Sequence, residues 1–123
     1  ASWRGLLRAA ATEPRRLAEF LWCLIDPIAR AEPNPGHHAL AVLQRHVPTT
    51  VVTQNVDGLH QTAGSTVVHE IHGSLWDVSD AATGRIVHRF TRPELQGIAA
   101  ALRGYVDRDL SWFGMLGRLR RHY

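Results

Sequence analysis

The sequence predicts an α/β fold in which parallel strands alternate with helical segments. From Pro14 onward, apolar residues recur at spacings of three and four, which is typical of an amphipathic helix. Farther along, a polar loop and a short helical turn separate two apolar runs at 49–54 and 67–71. Strand, loop, helix and strand in this order are the pattern of an α/β unit. The composition, 45% hydrophobic and 20% charged, is ordinary for a globular protein with a buried core.

The first third of the chain is predicted to be helical. A short helix is expected over residues 3–11, followed by the longer helix that begins near Pro14. Proline, asparagine and glycine then mark a turn at 31–36, and a third helix is expected over residues 37–45.

The helix from Pro14 has the strongest helical pattern in the chain. Thr12 is the expected N-cap, and Pro27 is expected to end or kink the helix near Asp26. Cys23, the only cysteine, is predicted to be a buried, inert thiol on the apolar face of this helix. The residues assigned to that face are Leu17, Phe20, Leu21, Leu24, Ile25 and Ile28.

The middle of the chain contains the predicted strands. Residues 49–54 are expected to form a buried strand, 55–58 a tight loop, 59–63 a short helical turn and 67–71 a second strand.

The last part of the chain has weaker patterns. Residues 85–90 alternate like a third strand, and 93–105 have helical spacing. The final segment is predicted to be a short helix interrupted by Gly114 and Gly117.

The charge pattern excludes some functions. All 14 basic residues are arginine, and the formal net charge is +3. Without lysine, the chain cannot supply a P-loop lysine or a Schiff-base lysine. Arg118, Arg120 and Arg121 lie beside His122, and this cluster fits either a solvated tail or a contact with an anionic partner. Aromatic residues are not interleaved with the basic ones, so nucleic acid is not the favoured partner.

The sequence also has features that bear on location. No apolar stretch approaches the ~18 residues of a membrane span, and no signal peptide is recognised. We therefore expect a cytoplasmic protein with no membrane partner. The chain begins with Ala1 instead of Met, so we expect a processed chain or part of a longer one.

The candidate site is the stretch TQNVDGLHQTAGS at 53–65, followed by Glu70-Ile71-His72-Gly73. The first strand delivers Asn55 and Asp57 to its carboxyl end, where open α/β sheets bind ligands. Asn-Val-Asp-Gly is also ordinary turn chemistry. His72 follows the second strand, and an imidazole with an unperturbed pKa of about 6.5 suits general-base work, although a structural histidine is the alternative.

These motifs, together with the upstream stretch PNPGHHAL, resemble the core of the sirtuins, the NAD-dependent protein lysine deacylases. The resemblance covers residues 14–76. It implies a Rossmann-like parallel-sheet domain, NAD as cofactor and an acyl-lysine protein or peptide as substrate. The implied reaction transfers the acyl group to ADP-ribose and releases nicotinamide.

The resemblance also implies roles for individual residues. His72 takes the role of the general base, and Asn55 contacts the ribose and orients water. Asp57 contacts the nicotinamide carboxamide, and Gln54 is a further ribose contact. His60 is a structural neighbour in the turn that follows the loop.

Two elements of the sirtuin pattern are missing from this sequence. No glycine-rich phosphate loop precedes Pro14, where Gly5 is isolated, and the cysteine pairs of a zinc ribbon do not occur. We therefore expect no zinc or other metal ligands. The resemblance identifies residues 1–123 as a single partial sirtuin-type domain, with a helical segment (1–48), an active-site core (49–76) and a divergent C-terminal segment (77–123).

The missing phosphate loop leaves two functions open. In the first, the chain is part of an NAD-dependent deacylase, and a further N-terminal segment or a partner completes the NAD site. In the second, it is a non-catalytic sirtuin-like module that binds NAD, ADP-ribose or a protein partner.

Overall fold

The computed structural model describes residues 3–120 and divides into a helical unit and a site unit. The helical unit contains α1, α2, α5 and α6, and the site unit contains α3, α4 and four strands. The α/β class predicted from the sequence is confirmed, while the assignment of 1–123 to a single domain stays a prediction. The elements are α1 (Trp3–Thr12), α2 (Pro14–Arg30), α3 (Pro35–Leu43), β1 (Val51–Thr53), α4 (Leu59–Thr62), β2 (Val68–Glu70), β3 (Asp77–Ser79), β4 (Ile86–Arg89), α5 (Arg92–Val106) and α6 (Trp112–Leu119).

The core of the helical unit lies between α2 and α5. Small side chains on α2 allow the two helices to approach closely, since Ala18 and Ala29 are buried there. At each end of the α2–α5 pair, side chains of one helix donate hydrogen bonds to backbone carbonyls of the other. The Arg15 guanidinium donates to the carbonyls of Tyr105 and Val106, each at 3.2 Å. The buried residues of α5 and α6 are Leu95, Ile98, Ala99, Ala101, Leu102, Tyr105 and Met115.

Of the two effects predicted for Pro27, an end of α2 near Asp26 is wrong, because the helix continues to Arg30, while a kink there stays a prediction. Pro27 removes one backbone N–H in the final turn, but other contacts support that turn. Asp26 and Arg30 form an ion pair at 2.8 Å. The last carbonyls are also capped, since the Ala29 carbonyl accepts from Arg92 at 3.1 Å and from Gln96 at 3.2 Å.

The apolar face predicted for α2 is correct in part, since four of its six residues are half-buried: Leu17, Leu21, Ile25 and Ile28. Phe20 is 63% exposed, Leu24 is 37% exposed, and Cys23 is exposed instead of buried. The helix turns its Ala18–Ala29 face to the core because α5 packs there, and this partner cannot be deduced from spacing within α2 alone.

The start of α2 also differs from the expected capping. Thr12 is not the N-cap, since it is the last residue of α1 and its hydroxyl donates to the Arg8 carbonyl at 2.9 Å. The short first helix predicted over residues 3–11 is confirmed as α1.

The predictions for the two helices after the site unit are correct in part. The helix predicted over residues 93–105 is confirmed as α5. The predicted interruption by Gly114 and Gly117 is wrong, because α6 runs through both glycines. Its first turn is stabilised by the Ser111 hydroxyl, which accepts from the Gly114 N–H at 3.1 Å. The basic cluster is described only through Arg120, since Arg121 and His122 lie outside the described residues.

In the site unit, β1 and β2 form a parallel pair, with Val51 opposite Val68 and Thr53 opposite Glu70. The strands predicted at 49–54 and 67–71 are therefore confirmed, in shorter form. The Gln44 side chain, just beyond α3, supports the start of both strands: its amide donates to the carbonyls of Thr49 at 3.1 Å and Val67 at 2.9 Å.

Two further helices of the site unit were expected from the sequence. The helical turn predicted at 59–63 is confirmed as α4. The helix predicted at 37–45 begins earlier, at Pro35, because Asn34 caps it. The Asn34 side chain accepts from the His37 N–H at 3.1 Å, and the Asn34 N–H donates to His37 Nδ1 at 3.3 Å.

The segment after the site forms an antiparallel hairpin of β3 and β4. Strand β4 confirms the strand predicted at 85–90, whereas β3 was not predicted. Asp and Ser are poor strand formers, and β3 is formed through its pairing with β4. The turn is shaped by Asp80, whose carboxylate accepts from the N–H of Ala82 at 3.1 Å and of Thr83 at 2.7 Å.

Candidate active site

The parallel pair brings the two sequence motifs to one edge of the sheet. The Ile71 N–H donates to the Thr53 carbonyl at 3.0 Å, directly beyond the Thr53–Glu70 pair. Because the strands are parallel, the chain leaves both of them at the same edge. The loop with Asn55 and the turn with His72 therefore start from adjacent points.

The loop at 54–58 presents amide side chains to solvent. Gln54 and Asn55 are exposed, and each amide carries donors and an acceptor. The Asn55 backbone is fixed by its N–H, which donates to the Thr53 hydroxyl at 3.0 Å. The backbone is thus anchored while the two amide groups remain available to a ligand.

Asp57 is half-buried, and one of its oxygens has a structural role. Oδ1 accepts from the Leu59 N–H at 3.0 Å, which satisfies a free backbone donor at the start of α4. Among the described residues, Oδ2 has no hydrogen-bond donor. That oxygen can accept a hydrogen bond from an amide of a ligand.

Backbone and side-chain contacts fasten this loop to the segment after His72. The Leu75 N–H donates to the Val56 carbonyl at 3.0 Å, and the Trp76 indole N–H donates to the Asp57 carbonyl at 2.7 Å. Gly58 has a φ of +67°, and a Cβ there would lie 3.1 Å from the Trp76 ring. The left-handed backbone and the close ring both require glycine at this position.

His72 is exposed in the turn that follows β2. The turn is closed by the Gly73 N–H, which donates to the Glu70 carbonyl at 3.1 Å, and Gly73 has a φ of +76°. An added Cβ at Gly73 would meet nothing within 4 Å. Glycine is therefore favoured here by backbone conformation, and the space beside His72 is open.

Glu70 lies at the end of β2 and was not assigned a role from the sequence. Its Oε1 is buried without a hydrogen-bond partner among the described residues. Burial raises the pKa of the Glu70 carboxyl above its ordinary value, and the nearby Arg89 guanidinium and the Gln61 side chain partly oppose this. Asp77 and Asp57 add to the rise, and Arg89 also pairs with Asp77 at 3.3 Å. An acidic residue two positions before His72 was the available signal in the sequence.

His60 lies in α4 beside His37, with ring centroids 4.6 Å apart. Burial lowers the pKa of His60 below its usual value, and His37 lowers it further, while Asp57 opposes the change. These effects favour the neutral imidazole, and the structural role predicted for His60 stays a prediction.

The residues of this chain do not fit a zinc ribbon. The only cysteine, Cys23, lies in α2, and the segment after His72 forms the β3–β4 hairpin. Within residues 3–120, no group of three or more His, Cys, Asp or Glu side chains could hold a metal ion.

A cleft of about 540 Å³ lies in the helical unit. Its lining includes Trp22, Asp26, Arg30, Arg103, Asp107 and Arg118. The arginines are balanced by carboxylates, and the Arg103 guanidinium lies 4.5 Å from the centre of the Trp22 ring. None of the site residues predicted from the sequence lines this cleft. Arg118, from the predicted basic cluster, thus lies among acidic side chains.

Comparison with known proteins agrees with the sequence resemblance. The model of the Sir2 family matches residues 8–118. An NAD-dependent protein deacylase of Mycobacterium tuberculosis is 39% identical over 94 residues, which cover 71% of this chain and 39% of the relative. NAD-dependent protein deacylase 2 of Pyrobaculum aerophilum is 42% identical over 92 residues, covering 72% of this chain and 36% of the relative. The chain thus spans about two-fifths of the length of these relatives.

Solved structures show the same relationship. A Sir2 homologue in complex with NAD aligns with a TM-score of 0.54 and 34% identity, over 66% of this chain and 32% of the homologue. A mutant Sir2 homologue in complex with ADP-ribose aligns with a TM-score of 0.54 and 33% identity, over 66% and 33% of the two chains. The predicted partial Rossmann-like fold is confirmed. None of the described helices has the length and apolar character needed to span a bilayer.

Proposed function

The chain belongs to the Sir2 family, and on that premise we propose that it carries the nicotinamide and ribose end of an NAD-dependent protein lysine deacylase site. The supporting observation is the shared edge of β1 and β2. There the Ile71–Thr53 hydrogen bond places the start of the Asn55 loop beside the start of the His72 turn.

The chemistry of the loop fits this end of the cofactor. Gln54 and Asn55 offer exposed amides for the ribose hydroxyls and for a water molecule. Asp57 offers Oδ2 to the N–H of the nicotinamide carboxamide. NAD, when bound, supplies the ribose that accepts the acyl group and the nicotinamide that leaves. The relatives named as NAD-dependent, and the homologues solved with NAD and ADP-ribose, support this assignment.

His72 is proposed as the general base. Its exposed imidazole stands beside open space, so a ring nitrogen can accept a proton from a ribose hydroxyl. Asn55 lies in the loop that follows the neighbouring strand β1, and its amide orients the water molecule. Both residues are exposed, so a ligand can reach them.

The substrate is proposed to be an acyl-lysine protein or peptide. The glycine-rich phosphate loop does not occur in this sequence, so contacts to the pyrophosphate would come from a further segment or from a partner. The cytoplasmic location expected from the sequence stays a prediction.

Nicotinamide release from NAD in the presence of an acyl-lysine peptide tests the proposal. We expect release that depends on the peptide, and its loss in His72→Ala. His69→Ala is the matched control, because His69 is an exposed histidine of β2, the strand that leads to His72. Equal turnover of the wild type and His72→Ala would remove the assigned base.

Calorimetry on the same proteins separates the deacylase from the alternative. Binding of NAD or ADP-ribose by wild type, without nicotinamide release, would favour the non-catalytic module.

A further inference from the structure

Trp76 connects the β3–β4 hairpin to the candidate site. It directly precedes β3, and its half-buried indole extends to the loop at 54–58. The indole N–H donates to the Asp57 carbonyl at 2.7 Å, across 19 positions of sequence. Two atoms of the same ring, Cδ1 and Nε1, lie 3.1 Å from the position of a Cβ on Gly58.

These contacts fix the peptide group between Asp57 and Gly58. The carbonyl of this group is held by the indole, and the Gly58 backbone that follows it is left-handed, with φ at +67°. The Asp57 side chain is held from the other side, because Oδ1 accepts from the Leu59 N–H at 3.0 Å. With the backbone and one oxygen fixed, the direction of Oδ2 is determined.

Trp76 is itself held by the base of the hairpin. Its carbonyl accepts from the Phe90 N–H at 2.7 Å, just beyond β4, and its own N–H donates to the Ser74 hydroxyl at 3.2 Å. These bonds fix the Trp76 backbone at the base of the hairpin, and the indole extends from there to the Asp57 carbonyl.

We propose that Trp76 is a positioning residue that holds Asp57 in the orientation needed to bind the nicotinamide carboxamide. This inference rests on the proposed function, in which Asp57 contacts that group. Tryptophan is required for the hydrogen bond, because phenylalanine fills much of the same space but carries no donor.

Trp76→Phe tests the inference, with Trp112→Phe as the matched control in the helical unit, where Trp112 contacts Tyr105. Inhibition of turnover is measured with nicotinamide and separately with ADP-ribose, which lacks the carboxamide. Loss of one hydrogen bond in Trp76→Phe is expected to weaken nicotinamide inhibition about fivefold and to leave ADP-ribose inhibition unchanged. A purely structural role would weaken both equally, and either that result or unchanged nicotinamide inhibition would overturn the proposal.

Amide hydrogen exchange gives a measurement that does not depend on activity. The Leu59 N–H, which donates to Asp57 Oδ1, is expected to exchange faster in Trp76→Phe, while the Ile71 N–H between the strands keeps its protection. Unchanged exchange at Leu59 would contradict the positioning role. If wild type shows no peptide-dependent nicotinamide release, the proposed deacylase function is wrong, and the exchange measurement still decides whether Trp76 orders Asp57.

Discussion

The Ile71 N–H donates to the Thr53 carbonyl at 3.0 Å, and this hydrogen bond joins the two segments of the candidate site. It continues the parallel pairing of β1 and β2 beyond its last residue pair. The loop that follows Thr53 and the turn that follows Glu70 therefore depend on the same pair of short strands. Changes that separate these strands are expected to affect both segments together.

Gln44 is predicted to be the main side-chain support for this strand pair. Gln44→Glu keeps an acceptor for the Thr66 N–H, at 2.8 Å in the structure, but loses the donors to Thr49 and Val67. We expect the free energy of unfolding to fall by about 1 to 2 kcal/mol, measured by urea denaturation. Arg45→Ala, at the exposed neighbouring position, is the control. A Gln44→Glu protein as stable as wild type would show that these bonds contribute little.

Gly58 and Gly84 separate two reasons why a position needs glycine: a left-handed backbone and the lack of space for a side chain. Both have positive φ, +67° and +69°, but only at Gly58 would a Cβ meet another side chain. Gly84→Ala should lower the free energy of unfolding by about 1 kcal/mol through backbone conformation alone, and Gly58→Ala by roughly twice that or more. Thermal and urea unfolding measure both. Equal losses would mean that Trp76 moves aside at little cost.

The raised pKa of Glu70 predicts a pH dependence of stability. Because the folded state favours the neutral carboxyl, ionisation is less favourable there than in the unfolded chain, whose pKa lies near 4.5. The stability contribution of Glu70 is therefore greatest below that value and is lost as pH rises through the folded pKa. Glu70→Gln should be more stable than wild type at pH 7, and this difference should shrink at pH 4.

Urea denaturation at the two pH values measures this effect. Glu19→Gln, which replaces an exposed carboxylate of α2, is the control. A stability difference between wild type and Glu70→Gln that grows on acidification would contradict the assigned sign.

The hairpin is predicted to keep its structure without a metal. Arg89 forms an ion pair with Asp77 at 3.3 Å, and its positive charge favours the ionised form of Glu70. Excess EDTA should leave the thermal midpoint unchanged. Arg89→Ala should lower the free energy of unfolding by about 0.5 kcal/mol, because it removes the ion pair with Asp77. Arg85→Ala, in the same hairpin, is the matched control. A large loss of stability in EDTA would reveal a structural metal ion.

The features predicted correctly from the sequence are those set by local patterns. Strands β1 and β2 follow from short apolar runs bounded by turn residues, and helix α5 follows from apolar spacing over four turns. The loop at 55–58 was predicted for the same reason, since Asn55, Asp57 and Gly58 lie within four residues, and its role in binding a ligand stays a prediction. Each of these signals is contained within a few residues.

The features that were missed depend on contacts between distant residues. The end of α2 is extended by capping from Arg92 and Gln96, more than 60 positions away. The exposure of Cys23 follows from which face α5 covers. Trp76 and Asp57 meet only because the chain turns back after β2. No local pattern contains such pairings.

Amide chemical-shift mapping with NAD is the most direct test of the proposed nicotinamide and ribose site. We predict shifts concentrated at residues 54–58 and 71–73, with nicotinamide alone shifting Asp57 and Gly58 most strongly. Shifts confined to the cleft lined by Trp22 and Arg103, with the residues around Asn55 and His72 unchanged, would contradict this assignment.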